Sequence, residues 1–275
     1  MGKVTKIDWC DSSWNPVTGC FHGCKYCYAR RIAKRFGTHG KNLLDVVGDS
    51  IEYIDGYRGI RELKNQLSEV YYDYDGYSHA KPSPYPYDFE PTFHRYRLDE
   101  PRRWTKPRTI FVCSMADLFG EWVPDEWIVD VLNACRAATQ HRYLFLTKNP
   151  GRYDALEEAG IITPKDENFW LGSTVTDINR DFMHWDTALH TFQSCEPMLA
   201  PWPPAGKPNE KFRGVWPEWV IFGAETGNRK GKVIPEKAWV DNAVEMCRNM
   251  GAKVFMKESL RQIMGEDFIQ EFPWE

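Results

Sequence analysis

After residue 108 the chain repeats one kind of unit. A short, mostly apolar run ends in a polar loop, and several of these loops lead into a stretch with helical spacing. The runs are residues 109–113, 142–146, 169–175, 191–195, 219–222 and 253–256. Between them, Asp125 can cap a helix whose buried face takes Trp127, Ile128, Val131, Leu132 and Cys135. Further helices are expected near 150–159, 179–189 and 236–250, the last stopped by Gly251. Alternation of strand and helix calls for parallel strands joined by right-handed crossovers. An extended segment at 11–18, where Pro16 keeps Asn15 out of the helical region, and a helix at 28–36 stopped by Gly37 supply the first unit.

These elements predict an α/β fold, a partial (β/α)6-7 TIM-like barrel with an insertion after the first β/α unit. A doubly wound sheet is the alternative, but its glycine-rich first turn is absent. The 275 residues are expected to form a single domain, elaborated at 37–106 by an aromatic- and proline-rich insertion. Within it, Ile60, Leu63, Leu67, Val70 and Tyr71 fall at helical spacing, and Pro82, Pro84, Pro86 and Pro91 then break the chain. The aromatics of residues 71–96 can shield strand edges or cover a site.

Charge gives no global attraction for nucleic acid, since 35 Lys and Arg stand against 39 Asp and Glu. The distribution is uneven, however. Arg30, Arg31, Lys34, Arg35 and Lys41 fall in a window without an acid, and residues 95–108 hold six basic residues against Asp99 and Glu100. No apolar stretch is long enough to span a membrane and no secretory signal is seen, so a cytoplasmic location is expected.

In a barrel, the residues just past each strand converge on one face. Here they are the loop from Cys20 to Cys27, Ser114 and Asp117, Thr147 and Lys148, Ser173 and Thr174, Glu196, Glu225, and Lys257 to Ser259. Polar side chains keep recurring at that position. The first loop also has three of the eight cysteines, Cys20, Cys24 and Cys27, in the spacing C-x3-C-x2-C. Thiolates are soft ligands, and three of them on a four-iron cubane would leave one iron open. A zinc site is the alternative reading, with His22 or His39 as a nitrogen ligand.

The loop resembles the signature of the radical S-adenosylmethionine superfamily, with Cys20, Cys24, Tyr26 and Cys27 at its defining positions. The likeness extends over most of the chain to a phage-type family of three-cysteine proteins of that superfamily. It is carried by Trp14-Asn15-Pro16, residues 114–119, Leu146-Thr147-Lys148, Trp170-Leu171-Gly172, residues 194–197, residues 223–227 and Phe255-Met256-Lys257. The resemblance implies a [4Fe-4S] cluster on Cys20, Cys24 and Cys27. It also implies S-adenosylmethionine cleavage to a 5′-deoxyadenosyl radical and hydrogen abstraction from a substrate, possible candidates being a nucleic acid or nucleotide. A flavodoxin- or ferredoxin-like one-electron donor would be a partner.

The superfamily's glycine-glycine-glutamate is replaced by Ser114-Met115-Ala116-Asp117. Ser114 and Asp117 are therefore the expected contacts to the cofactor's amino group, with Tyr26, Ser173 and Thr174 also toward the cofactor. Lys148, Lys257, Glu196 and Glu225 are the expected catalytic residues. Two other functions compete: a zinc-dependent nucleic-acid-binding protein, and an iron–sulfur protein that only senses redox state or carries electrons.

Overall fold

The computed structural model describes residues 5–38, 43–44, 52–53, 59–178, 187–202 and 216–275. Seven parallel strands form its main sheet: β1 (Ser12–Trp14), β2 (Thr109–Val112), β3 (Arg142–Thr147), β4 (Phe169–Thr174), β5 (His190–Cys195), β6 (Trp219–Phe222) and β7 (Lys253–Met256). Each strand pairs with its sequence neighbours, so the spatial order is also the chain order. That winding belongs to barrels rather than to doubly wound sheets, whose order reverses at a switch point. The sheet is open and partly curled. The outer edge of β7 is taken by the C-terminal segment, where Met256 N–H donates to Ile269 O at 2.8 Å and Glu271 N–H to Val254 O at 3.0 Å.

Strand periodicity sends alternate residues to opposite faces. The inner face contributes Phe111, Leu144, Trp170, Phe192, Trp219, Ile221 and Phe255 to one buried cluster. Trp9, 1% exposed, plugs that cluster, with its ring centroid 4.6 Å from Phe111, 6.2 Å from Phe192 and 6.3 Å from Trp219. A flat sheet could not bring β2, β5 and β6 to one indole, so these contacts record the curl. On the outer face, α2 (Asp125–Arg136) and α3 (Gly151–Glu158) pack over the first half of the sheet, and α4 (Lys237–Asn249) packs over the second. The predicted buried stripe of α2 is observed residue for residue.

Two expectations are corrected, and a third lies mostly outside the described residues. The extended segment at 11–18 is two strands, because Pro16 ends β1 and Val17–Thr18 turns away to pair antiparallel with Thr92–His94. The helix expected over 60–71 is absent. Arg61–Leu63 pairs parallel with Thr92–His94, and Ser68–Tyr72 forms a hairpin with Ser78–Pro82. Val70, Tyr71 and Tyr72 favour strand. Asp73 then closes the turn by accepting from the N–H groups of Asp75 and Tyr77. The helix expected at 179–189 lies mostly outside the described residues; residues 187–189 are not helical. No helix among the described residues is long and apolar enough to cross a membrane.

Candidate functional site

Beyond the apolar floor, the inward-facing positions turn polar. Going up the strands, Leu144 is followed by Leu146 and Lys148, Trp170 by Gly172 and Thr174, Phe192 by Ser194 and Glu196, and Phe255 by Lys257. These upper residues line a cleft of about 1500 Å³ at the carboxyl ends of the strands. Gly172, below the cleft, leaves room for the Phe192 ring, from which a Cβ there would lie only 2.3 Å away. One wall comes from the cysteine loop and α1 (Tyr28–Phe36), the other from the insertion, through Tyr85, Phe89, Tyr96 and Arg97. Of the insertion's aromatics, then, some cover the cleft, whereas Tyr71, Tyr72, Tyr74 and Tyr77 stand exposed on the hairpin.

Asp117 organises the cleft. Cys113 takes a left-handed backbone angle (φ 59°), uncommon for a residue other than glycine, and turns the chain after β2 so that Asp117 faces the end of β3. Asp117 Oδ1 accepts from Thr147 Oγ1 at 2.7 Å and from Phe119 N–H at 3.1 Å. Its Oδ2 accepts from Lys148 N–H at 2.9 Å and lies 2.7 Å from His22 Nε2. Both oxygens are thus committed to protein donors. Asp117 ties the cysteine loop to β3.

Ser114 plays a similar part. Its Oγ donates to Asn15 Oδ1 at 3.1 Å, and its carbonyl accepts from Tyr28 Oη at 2.6 Å. Asn15 Oδ1 also accepts from Met115 N–H at 2.9 Å, which joins the end of β1 to the turn after β2.

The other expected residues divide by orientation. Glu196 and Lys257 form an ion pair inside the cleft. Glu225 is almost fully buried and is held by Arg229 at 2.5 and 2.7 Å, which lowers its carboxyl pKa. Lys148 Nζ sits 5.7 Å from the Tyr26 ring centroid, and both residues line the cleft. Thr174 lines it too. Ser173 does not, because the neighbouring strand position faces outward, where its Oγ is buried without a hydrogen-bond partner among the described residues. Cys113 and Cys195 are fully buried, as are Cys135 and Cys247 on their helices. Asn15, Tyr28 and Arg97 are the site residues that spacing alone did not assign, and His22 was read only as a zinc ligand; the chain order of Asn15 before Pro16 was the available signal for one of them.

The three cysteines line the cleft without forming a ligand set. Cys27 caps α1, its Sγ accepting from Arg30 N–H at 3.3 Å. Burial pushes the Cys20 thiol up to about 12, so it is protonated rather than a thiolate at neutral pH. Among the described residues, no group of three or more His, Cys, Asp or Glu side chains is arranged to hold a metal ion. This corrects the expected [4Fe-4S] cluster on Cys20, Cys24 and Cys27. With it fall S-adenosylmethionine cleavage, the radical enzyme activity, the membership in a phage-type radical family and the role for an electron donor. Among the described residues the iron–sulfur redox alternative fails on the same ground, as does a zinc site with His22 as its nitrogen ligand; a zinc site that uses His39 lies outside the described residues.

What fold and cleft define is an α/β protein with a generic partial (β/α) barrel, opening at the carboxyl ends of its strands. The chain belongs to the DUF5131 family, proteins of unknown function, whose model matches residues 4–262. No curated protein and no solved structure matches it.

Proposed function

We propose that the cleft binds a phosphate-bearing ligand of the nucleotide class, either free or as the end of a single nucleic-acid strand. The observation that carries this reading is the juxtaposition of an aromatic-lined cleft with an acid-free basic helix at its rim. Helix α1 holds Arg30, Arg31, Lys34 and Arg35 and no acidic residue, while Tyr28 and Ile32 from the same helix face the cleft. Aromatic faces stack bases with little regard to sequence, and Arg and Lys neutralise phosphate. Tyr26, Tyr85, Phe89 and Tyr96 supply the rings.

The cleft's acids support the same reading. Three of them, Glu196, Glu225 and Glu258, are ion-paired with Lys257, Arg229 and Arg261, which offsets their charge toward a phosphate. In this proposal Tyr26, Lys148, Thr174 and Lys257 contact the ligand, whereas Ser114, Asp117, Glu196 and Glu225 hold the walls in place. The chain acts as one domain in a cytoplasmic setting, with residues 37–106 as an elaboration of its cleft.

Calorimetric titration with nucleoside monophosphates, the matching nucleosides and a short single-stranded oligonucleotide tests the proposal. Monophosphates should bind at least tenfold more tightly than nucleosides, with affinity falling as salt rises, and R30E/K34E should weaken binding. Tighter binding of the oligonucleotide than of the monophosphates would identify a strand end. Equal affinity for nucleosides and monophosphates would overturn the reading, as would no binding of any of them.

A further inference from the structure

A second pocket, of about 680 Å³, lies at the opposite end of the sheet, where β2 to β5 begin. Two of its lining residues are Arg108 and Arg142, set side by side by parallel pairing, with Arg142 N–H donating to Arg108 O at 2.9 Å. Each guanidinium is braced over an indole. Arg142 Cζ lies 4.0 Å from the Trp274 ring centroid and Arg108 Cζ lies 5.3 Å from that of Trp104. Such stacking fixes the plane of the group and leaves its N–H edge to a ligand.

Those edges are scarcely used. A guanidinium has five N–H donors. Arg108 gives one to Ser12 Oγ at 2.7 Å, and its Nε is buried without a partner among the described residues. Arg142 gives one to Thr109 Oγ1 at 3.2 Å. The carboxylates lining the pocket do not form ion pairs with either arginine among the described residues. Asp11 accepts from Thr109 N–H at 2.7 Å, Glu218 is held by His190 at 3.0 Å, and Glu167 is exposed. His141, 2% exposed and lining the same pocket, has a buried Nδ1 without a partner among the described residues. Burial holds the Arg142 guanidinium below its usual pKa, the mark of a charge that is only partly compensated.

We propose that this pocket is a second binding site, in which Arg108 and Arg142 clasp the oxyanion of a phosphate or phosphomonoester. Paired N–H edges match the oxygens of that group, and two arginines supply the charge that balances it. The site is separate from the cleft, so its fate does not depend on the nucleotide reading.

The test is calorimetric titration of the full chain with inorganic phosphate at constant ionic strength, set by chloride. Saturable binding of one phosphate per chain in this pocket is expected, weakened at least tenfold in R108Q and in R142Q. R142K, which keeps the charge and volume but loses the fork, should fold as the parent does and still bind less tightly. The absence of saturable binding to the parent chain would overturn the proposal, whatever the variants do. So would phosphate binding that survives R108Q and R142Q, or that is lost only in R30E/K34E.

Discussion

Asp117 and His22 meet across the cleft at 2.7 Å, although 95 positions separate them, and the same carboxylate holds the end of β3. Replacing Asp117 by Asn puts an amide NH2 where a donor now points. At least one of the two backbone N–H groups or the Thr147 hydroxyl then loses its acceptor. A buried unsatisfied donor costs about 1–3 kcal/mol. Asp117→Asn should lower the thermal midpoint, and amide exchange should quicken at Lys148 and Phe119 before it quickens in β2. Unchanged exchange at both amides would refute the role given to this carboxylate.

Trp9 is the plug of the inner cluster. Its removal leaves a void bounded by Phe111, Phe192 and Trp219, which belong to three different strands and cannot collapse together. Trp9→Ala should destabilise the fold by about 3–5 kcal/mol, measured by denaturant unfolding. Trp9→Phe should cost less. A loss for Trp9→Ala within experimental error of zero would argue against the curl that these contacts record.

His94 introduces a pH dependence. It is fully buried, with Nε2 2.9 Å from Thr18 Oγ1 and Nδ1 3.1 Å from Tyr96 Oη, and burial holds its pKa well below 6.5. Below that value the unfolded chain takes up a proton that the folded chain refuses, so stability is lost as pH falls through about 6.5. The limiting slope for one such group is about 1.4 kcal/mol per pH unit. Urea midpoints between pH 7 and 5 should fall less steeply in His94→Gln than in the parent.

Gly19 sits where the cysteine loop crosses the insertion. Its φ is +87°, and a Cβ would lie 2.3 Å from the carbonyl oxygen of Glu90. Both conditions exclude a side chain. Gly19→Ala should therefore displace the loop and destabilise the chain by more than about 1 kcal/mol. Gly76→Ala, with φ of +85° but open space, isolates the backbone contribution and should cost less.

Cys20 offers a chemical check on the metal-site correction. With its thiol pushed up to about 12, alkylation by iodoacetamide should keep rising with pH and show no plateau through pH 10. A plateau near pH 8 would mean that the buried thiol is not in the environment described.

The barrel was legible because its strands and helices are locally marked. The stripe from Trp127 to Cys135 and the apolar runs ending in Thr147, Glu196 and Lys257 give period and direction without tertiary context. Inside the insertion, the same reasoning fails. Ile60, Leu63 and Leu67 are all buried, as their helical spacing suggests, but they belong to short strands and a connecting loop whose pairing is set by distant Thr92–His94. The site was legible in outline, since most of the polar strand-end residues line one cleft. What spacing could not supply was orientation. Ser173 and Thr174 are adjacent, yet only the second faces the cleft. Three closely spaced cysteines likewise say nothing about where each sulfur points, and Cys27 turns its own to the start of α1.

The seven-strand sheet does not close on itself: β7 passes its free edge to the C-terminal segment, and its far end reaches the start of the chain through Glu258 N–H and Asp8 Oδ2 at 2.9 Å. A ring fastened by a clasp rather than a continuous ladder can change its bore when the clasp opens, while every strand-to-strand bond stays intact.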